Sequence, residues 1–521
     1  TPPLHRGSLL LGLLLAAAAA VALAGGARPS SWLTLPTRED IDRTHHTRWA
    51  VLVAGSAGWG NYRHQADICH AYQVLKKGGL SDEHIIVMMA DDVADSVANP
   101  YPGKVFNKPN GPDVYEGIKI DYSGSDVNAK NVLKVLAGDA KGMAGIGSGR
   151  VLASSPEDYV FFYFADHGAP GILGMPSGAF LYADQFVGTL VNRSREDGFR
   201  RMVVYIEACE SGSIFQGMDM NNTRIYATTA ANAVESSWGT YCPGMEPGSP
   251  PEFHTCLGDL YSVSFLEDTD DADRRHETLQ AQFDSVKERT SNHFTYRMGS
   301  HVLQWGDLSF TSDALGKYLG FGNRKDEQED EEEELGMDEA FTVNPSTLHS
   351  SQPSKEAAAK APETHVPQRD AELVYMTSRY MWETDPVQKA IYQAELQDFV
   401  AARQHEDDAV RQALTLLMED PGAMAAVYKA MPEALVTELS LRSGGLAESV
   451  EAEMLYNTAG RPATLQVVDD WECLRGTISG YEALCGPLGQ YGMKYSRLFA
   501  NTCNLGVADP FLVVLADVCQ S

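Results

Sequence analysis

Two stretches decide the fold: YVFFYFADHG at residues 159–168 and MVVYIEACESG at residues 202–212. Each begins with a short, nearly continuous apolar run, which is typical of a strand buried on both faces of a sheet, and each ends in polar residues and glycine. Segments of helical length lie between such runs, for example residues 65–77, so we expect crossover connections and mostly parallel pairing. Similar apolar runs occupy residues 49–55, 84–90 and 225–230.

The alternation extends over residues 48–321 and predicts an α/β domain in which helices flank a mostly parallel sheet. Residues 322–369 differ, because a run of acidic residues is followed by serine, proline and alanine with hardly any aromatic residue. Such a segment cannot bury enough apolar surface to order itself, so we expect a disordered linker. A helical period returns in residues 370–521 and predicts an all-helical C-terminal domain. The helices expected at its start are residues 371–382, 386–403 and 408–418.

The N-terminus has the pattern of a secretory signal. His5 and Arg6 precede an apolar stretch that ends in Ala-Leu-Ala at residues 22–24. Residues 1–24 are therefore predicted to be cleaved off, and residues 25–47 to form a propeptide or lead-in. A permanent membrane anchor is the alternative, but the many alanines make the stretch weakly hydrophobic.

The composition restricts the class of partner. The chain has 71 acidic and 41 basic residues and a formal net charge of −30, which excludes a nucleic-acid binder that works through a basic surface. No later apolar run reaches the ~20 residues that a bilayer span needs, so no membrane contact is expected once the signal is removed. Two acceptor sequons agree with a secretory route and predict glycans on Asn192 and Asn221.

The eight cysteines also favour an oxidising compartment. Cys242 and Cys256 flank a short loop rich in proline and glycine, which one disulfide could close. Four more cysteines lie near the C-terminus and predict two disulfides with three possible pairings: Cys473, Cys485, Cys503 and Cys519. Zinc is the alternative for this quartet, but no Cys-x-x-Cys pair or nearby histidine supports it. We predict neither a metal site nor a cofactor.

Cys209 and His167 are candidates for nucleophilic catalysis. Each follows a predicted strand, and parallel strands place their carboxyl ends at the same edge of the sheet. A histidine within hydrogen-bond reach can take the proton of a thiol and return it to a leaving amine. The backbone N–H groups of Gly168 and Cys209 are candidate donors to an oxyanion. The alternatives are a core cysteine and a structural histidine, which the polar, glycine-containing turns after both residues disfavour.

These residues occur within longer motifs that resemble a known family. The motifs are GNYRHQAD (60–67), DHGAPGILGMP (166–176), YIEACESGS (205–213), ATTAAN (227–232) and CLGDLYSV (256–263). They are similar to the plant type of the legumain family, the asparaginyl endopeptidases or vacuolar processing enzymes. The resemblance implies a caspase-like fold, with Cys209 as the nucleophile, His167 as the general base and acid, and Asn61 as the residue that orients the imidazole.

The resemblance also implies a pocket for the substrate residue before the cleaved bond. It assigns Arg63, His64, Glu207, Ser236 and Asp259 to that pocket. A guanidinium can donate to the oxygen of an asparagine carboxamide, and carboxylates can accept from its nitrogen, so both ends of the amide would be recognised.

The implied protein is a zymogen of a cysteine endopeptidase that cleaves protein and peptide substrates after exposed asparagine, and after aspartate at low pH. It would activate itself in an acidic vacuole or lysosome-like compartment, by a cut at Asn323, and its own C-terminal domain would be the inhibitor. Pro367 precedes Gln-Arg-Asp where plant-type members often carry asparagine, so no asparagine cut is expected there. The alternatives are a peptide ligase or cyclase on the same site, a GPI-transamidase-like enzyme and a non-catalytic secreted binding protein.

Overall fold

A six-stranded sheet lies at the centre of the N-terminal part of the molecule, in the order β11-β8-β7-β3-β1-β2. In the computed structural model, which describes residues 46–322, 365–442 and 446–520, five of these strands run parallel and β11 is antiparallel. In chain order the strands are β1 (Arg48–Ala54), β2 (Ile85–Met88), β3 (Tyr159–Ala165), β4 (Gly168–Ala169), β5 (Ile172–Leu173), β6 (Leu181–Tyr182), β7 (Arg201–Glu207), β8 (Ile225–Thr229), β9 (Trp238–Thr240), β10 (Gly258–Asp259), β11 (Leu303–Gly306) and β12 (His365–Pro367). All five predicted apolar runs are strands of this sheet, which confirms the predicted fold class.

Helices cover both faces of the sheet, because each strand is apolar on both sides. Along β1, Ala50 and Leu52 pack into one core, whereas Val51 and Val53 pack into the other. The predicted helix 65–77 begins three residues earlier, at Tyr62. The helices of this part are α1 (Tyr62–Lys77), α2 (Ala129–Ala137), α3 (Ala183–Arg195), α4 (Leu260–Asp271), α5 (Leu279–Thr290) and α6 (Gly316–Leu319).

The C-terminal part is helical, as predicted, and belongs with the sheet to one compact unit of residues 47–521. Residues 386–403 and 408–418, expected as two helices, form a single helix from Pro386 to Glu419. No proline or glycine follows Pro386 within it, so the polar residues between the two segments do not interrupt the backbone. The helices are α7 (Ala371–Trp382), α8 (Pro386–Glu419), α9 (Pro421–Ala430), α10 (Glu433–Ser440), α11 (Leu446–Tyr456), α12 (Trp471–Cys485), α13 (Ser496–Asn504) and α14 (Ala508–Cys519).

The predicted disordered linker, residues 322–369, needs one correction. Its last residues are ordered, because β12 pairs antiparallel with β9 and a single helical turn follows over Gln368–Asp370. Apolar Val366 within this strand is buried. Asn323 and the rest of the linker up to residue 364 lie outside the described residues, as do the predicted signal and nearly all of residues 25–47.

Three disulfides join the six cysteines predicted to be bridged. Cys242 pairs with Cys256, as expected for the loop that they flank. In the C-terminal quartet the pairs are Cys473–Cys503 and Cys485–Cys519. This rules out the zinc alternative, because each sulfur is already bonded to the sulfur of its partner cysteine. The two free cysteines, Cys69 and Cys209, are both buried.

Both sequon asparagines, Asn192 on α3 and Asn221 in a turn, are exposed, and their glycosylation stays a prediction. Among the described residues, no helix is both long enough and apolar enough to cross a membrane.

Candidate active site

The pairing of β3 with β7 brings the predicted nucleophile and base to one edge of the sheet. The strands are parallel, with Ala165 opposite Glu207, and the N–H of Asp166 donates to the carbonyl oxygen of Glu207 at 3.1 Å. A Cβ atom at residue 168 would lie 2.6 Å from the carbonyl oxygen of Cys209, so only glycine fits there. The segments that carry His167 and Cys209 therefore leave the sheet side by side.

His167 is buried, and Asn61 holds its ring. The Nε2 atom lies 2.8 Å from Asn61 Oδ1 and 3.4 Å from Arg63 Nη2. Among the described residues, none forms a hydrogen bond with Nδ1. Burial and the nearby Arg63 guanidinium lower the pKa of His167 well below its usual value. The imidazole is therefore neutral, which is the form that can accept a proton.

The Cys209 thiol is also neutral in this state. Burial raises its pKa to about 11. Its Sγ atom lies 4.0 Å from Gln368 Oε1 and 3.9 Å from Ser237 Oγ. Sequence analysis did not identify Ser237 or Gln368, because neither residue type implies a role at the thiol until the fold brings it there.

Arg63, Glu207 and Asp259 form a fully buried cluster beside His167 and Cys209. Arg63 Nε donates to Asp259 Oδ1 at 2.8 Å, which forms an ion pair. Glu207 Oε2 accepts from the backbone N–H and the hydroxyl of Ser262, both at 3.1 Å. Burial and the neighbouring Asp259 charge raise the pKa of Glu207 well above its usual value, so Glu207 is a neutral acid.

The structure separates the two remaining predicted pocket residues. His64 belongs to the cluster, because its Nε2 atom lies 3.4 Å from Asp259 Oδ2 and its Nδ1 atom lies 2.6 Å from Ser56 Oγ. Ser236 lies on the thiol side instead, with its Oγ atom 3.4 Å from Arg369 Nη1 and in contact with Cys209. Four of the five predicted residues are thus brought together, and Ser236 borders the nucleophile.

His64, Asp166 and His167 are the described residues best placed to hold a metal ion, since their ligand atoms lie within 4.8 Å of one another. Burial raises the pKa of Asp166 to about 7. Hydrogen bonds to Ser56 and Asn61 engage one nitrogen of each imidazole, and the absence of a metal at this group stays a prediction.

The end of the linker covers the site. Gln368 Nε2 lies 3.5 Å from Glu207 Oε1, and Arg63 Nη2 lies 3.5 Å from the carbonyl oxygen of Gln368. The next residue, Arg369, forms an ion pair with Glu210 at 2.6 Å and donates to the carbonyl oxygen of Gly168 at 3.0 Å. The strand β12 therefore ends directly over the predicted nucleophile and base.

The helical C-terminal part supports this cover. Arg403 on α8 pairs with Asp370 at 3.0 Å, and Gln490 accepts a hydrogen bond at 3.1 Å from the side chain of Asn61. Gln490 of the C-terminal part thus contacts Asn61, the residue that is hydrogen-bonded to the predicted base. In this state the site is assembled but closed to substrate.

The chain is similar in sequence to known peptidases. Residues 48–321 match the Peptidase C13 family, and residues 445–519 match the legumain prodomain. The chain is 44% identical to the vacuolar-processing enzyme of Ricinus communis over 474 residues, covering 91% of this chain and 84% of that protein. It is 43% identical to legumain of Canavalia ensiformis over 479 residues, covering 92% and 89%. The chain belongs to the legumain family.

As a member of the legumain family, the protein is a cysteine endopeptidase made as a zymogen with a C-terminal prodomain. The resemblance read from the motifs is confirmed, and the alternatives of a non-catalytic binding protein and a GPI-transamidase are wrong. Among solved structures, caspase-1 from Spodoptera frugiperda aligns with 57% of this chain and 97% of that one, at 10% identity and a TM-score of 0.31, which is too slight a likeness to support an argument.

Proposed function

We propose that this peptidase cleaves after asparagine. The observation that carries the proposal is the position of the Gln368 carboxamide, with its oxygen 4.0 Å from Cys209 Sγ and its nitrogen 3.5 Å from Glu207 Oε1. Asparagine ends in the same primary amide on a side chain that is one methylene shorter. The buried cluster thus already accommodates the group that the substrate would present.

The protonation states of the cluster suit a carboxamide. Burial raises the pKa of Asp259, but the ion pair with Arg63 opposes this rise and favours the carboxylate; burial and the Asp259 charge raise the pKa of Glu207 well above its usual value, which favours its neutral form. A carboxamide needs a donor for its oxygen and an acceptor for each N–H, and the guanidinium and the two acids provide both. Because these groups are fully buried, a side chain that leaves them unpaired is rejected strongly.

The chemistry begins once the linker leaves. Cys209 gives its proton to His167, and the sulfur attacks the carbonyl carbon while the N–H groups of Gly168 and Cys209 stabilise the oxyanion. His167 then returns the proton to the leaving amine, and the C–N bond breaks to leave a thioester. Water, activated by His167, attacks the thioester and releases the asparagine-terminated product and the thiol. Asn61 keeps the imidazole in position throughout.

Aspartate becomes a substrate at low pH. A protonated carboxylic acid has a hydroxyl donor and a carbonyl acceptor, so it resembles the amide in the groups that the cluster recognises. An ionised aspartate would place a second negative charge beside Asp259. We therefore assign the enzyme to an acidic compartment reached by the secretory pathway, and its relatives' name, vacuolar-processing enzyme, supports a vacuole.

The test uses matched peptides that differ only in the residue before the scissile bond: asparagine, aspartate, glutamine or alanine. We expect cleavage after asparagine at all pH values at which the enzyme is stable, and after aspartate only at acidic pH. Arg63→Ala and Asp259→Ala should reduce asparagine cleavage by up to ~10⁴-fold. The rate at which iodoacetamide alkylates Cys209 is the control for an intact site.

Equal losses of cleavage and alkylation in these variants would contradict the pocket assignment. Product analysis with an added amine nucleophile distinguishes hydrolysis from the alternative of peptide ligation. Both reactions share the thioester, and they differ only in whether water or the amine captures it.

A further inference from the structure

One face of α1 carries a row of ionisable residues that leads away from the substrate pocket. Arg63, Asp67, His70 and Lys77 follow one another at spacings of four, three and seven residues, which place them along one side of a helix. Arg63 belongs to the pocket, whereas the mechanism above uses none of the other three.

Asp67 connects this row to the pocket. It is fully buried, its Oδ1 atom accepts from Asn107 Nδ2 at 2.7 Å, and its Oδ2 atom accepts from the backbone N–H of Asp259 at 3.3 Å. The carboxyl groups of Asp67 and Asp259 are neighbours, and each shifts the pKa of the other. Two buried carboxyl groups in contact require a proton between them.

The proton belongs to Asp67. Burial and the charge of Asp259 raise the pKa of Asp67 well above its usual value. Burial also raises the pKa of Asp259, but the bonded Arg63 and the neighbouring Asp67 both oppose that rise. Asp67 is therefore a neutral acid that donates to Asp259. Asp259 stays a carboxylate, with Asp67 on one side and Arg63 on the other.

The outer end of the row fixes Asp67 in place. The amide of Asn107 has a defined orientation, because its nitrogen donates both to Asp67 and to the carbonyl oxygen of Leu257 at 3.0 Å. Its oxygen lies 2.8 Å from His70 Nδ1, and His70 Nε2 lies 2.9 Å from Asp270. Hydrogen bonds from His70 and Lys77 hold the pKa of Asp270 well below its usual value.

We propose that Asp67 is a positioning residue for the asparagine pocket, and that its contacts with the backbone and the carboxyl group of Asp259 hold Asp259 in the orientation that pairs with Arg63. Asp67 does not touch substrate; it acts through Asp259, supported by Asn107 and His70. The inference rests on the proposed asparagine specificity, which it deepens by naming a determinant outside the pocket.

The test compares Asp67→Asn with Asp67→Ala. Asparagine can still accept from Asn107 through its oxygen and donate to the Asp259 carboxylate through its nitrogen, so it reproduces the neutral acid except for the long bond from the Asp259 backbone N–H. Alanine can do neither. Each variant is made as the full chain and matured with a small amount of tagged wild-type enzyme, which is then removed.

We expect Asp67→Ala to lose on the order of 10- to 100-fold in kcat/KM for the asparagine peptide, mainly through KM, since a buried polar partner is left unpaired. Its rate of Cys209 alkylation should stay within about twofold of wild type, and Asp67→Asn should stay within about threefold of wild type in kcat/KM. Gln282→Ala is the matched control, because Gln282 is equally buried and bonded to Tyr205 and Thr269, away from the pocket. It should lower thermal stability without changing KM.

Wild-type KM in Asp67→Ala, or a loss in Asp67→Asn as large as that in Asp67→Ala, would overturn the inference. If Asp67→Ala does not fold, Asp67→Ser provides the same comparison, because its short hydroxyl cannot reach both Asn107 and Asp259. Failure of the wild-type enzyme to prefer asparagine would count against the proposed function instead. The specificity of the wild-type enzyme is therefore measured before that of any variant.

Discussion

At the scale of single residues, the resting site consists of two neutral groups. The pKa of the Cys209 thiol is raised to about 11 by burial, and burial and Arg63 lower the pKa of His167. Charge separation into thiolate and imidazolium would need solvation that the linker excludes. The zymogen can therefore hold its catalytic groups in place without reacting.

This protonation state predicts a slow reaction of the full-length chain with iodoacetamide. With a pKa of about 11, the thiolate fraction at pH 7 is on the order of 10⁻⁴, and the rate should rise with pH up to about 11. The matured enzyme should react much faster at pH 7. The Cys209→Ser variant is the control, since it leaves Cys69 as the remaining free thiol and should lack both peptidase activity and the labelled product. Equal alkylation rates before and after maturation would contradict the conclusion that the end of the linker shields Cys209.

At the scale of elements, β12 and the turn after it keep the site closed. The strand is held by its pairing with β9, and the turn by the pair of Arg369 with Glu210, in which both side chains are nearly buried. Removing one partner of a buried ion pair leaves the other charge uncompensated, which costs about 3 kcal/mol. The ion pair therefore contributes to the closure of the site, together with the bonds of Arg369 to Gly168 and of Asp370 to Arg403.

Arg369→Ala should give the unprocessed zymogen an accessible thiol and some peptidase activity. We expect faster iodoacetamide labelling of the full-length chain at pH 7 and measurable cleavage of the asparagine peptide before any processing. Arg475→Ala is the matched control, because Arg475 on α12 pairs with Asp184 on α3 at 3.0 Å and lies away from the thiol. It should weaken the attachment of the prodomain and leave labelling nearly unchanged. Equal labelling of both variants would show that the turn is not the barrier.

At the scale of the whole molecule, low pH should separate the C-terminal prodomain from the peptidase part. The cover and the prodomain are attached partly through carboxylates, and protonation of a carboxylate removes its ion pair. Within the peptidase part, the ion pairs of Asp313 persist to lower pH. Lys317 and Arg201 lower the pKa of Asp313, so its stabilising contribution is present above the usual aspartate pKa and is lost only as pH falls through the lower folded value.

We therefore expect the full chain to cut itself within residues 322–370 at pH about 4 to 5, most readily after Asn323. Intact mass and N-terminal sequencing of the products identify the cut. The Cys209→Ser chain, incubated alone, should stay uncut apart from removal of the signal. Its conversion at the wild-type rate would mean that another protease does the processing.

The sequence by itself determined the sheet and the placement of His167 and Cys209 at one edge of it, for a local physical reason. Strands buried on both faces must be continuously apolar, so each apolar run marked a strand, and the parallel order placed His167 and Cys209 at one edge. Cys242 and Cys256 were predictable as a pair because only a short loop separates them. Helix α8 was predicted as two pieces, since a polar stretch resembles a break until the packing of its ends is known.

Only the tertiary structure decided the states and neighbours of these groups. The neutral forms of Cys209 and Glu207 depend on burial and on charges that lie far away in the sequence. The same holds for the position of Gln368 over the thiol, 159 residues beyond it in the chain, and for the link of Asp67 to Asp259, 192 residues apart. Such contacts leave no local pattern, because hydrogen bonds and desolvation depend on distances in space and not on spacing along the chain.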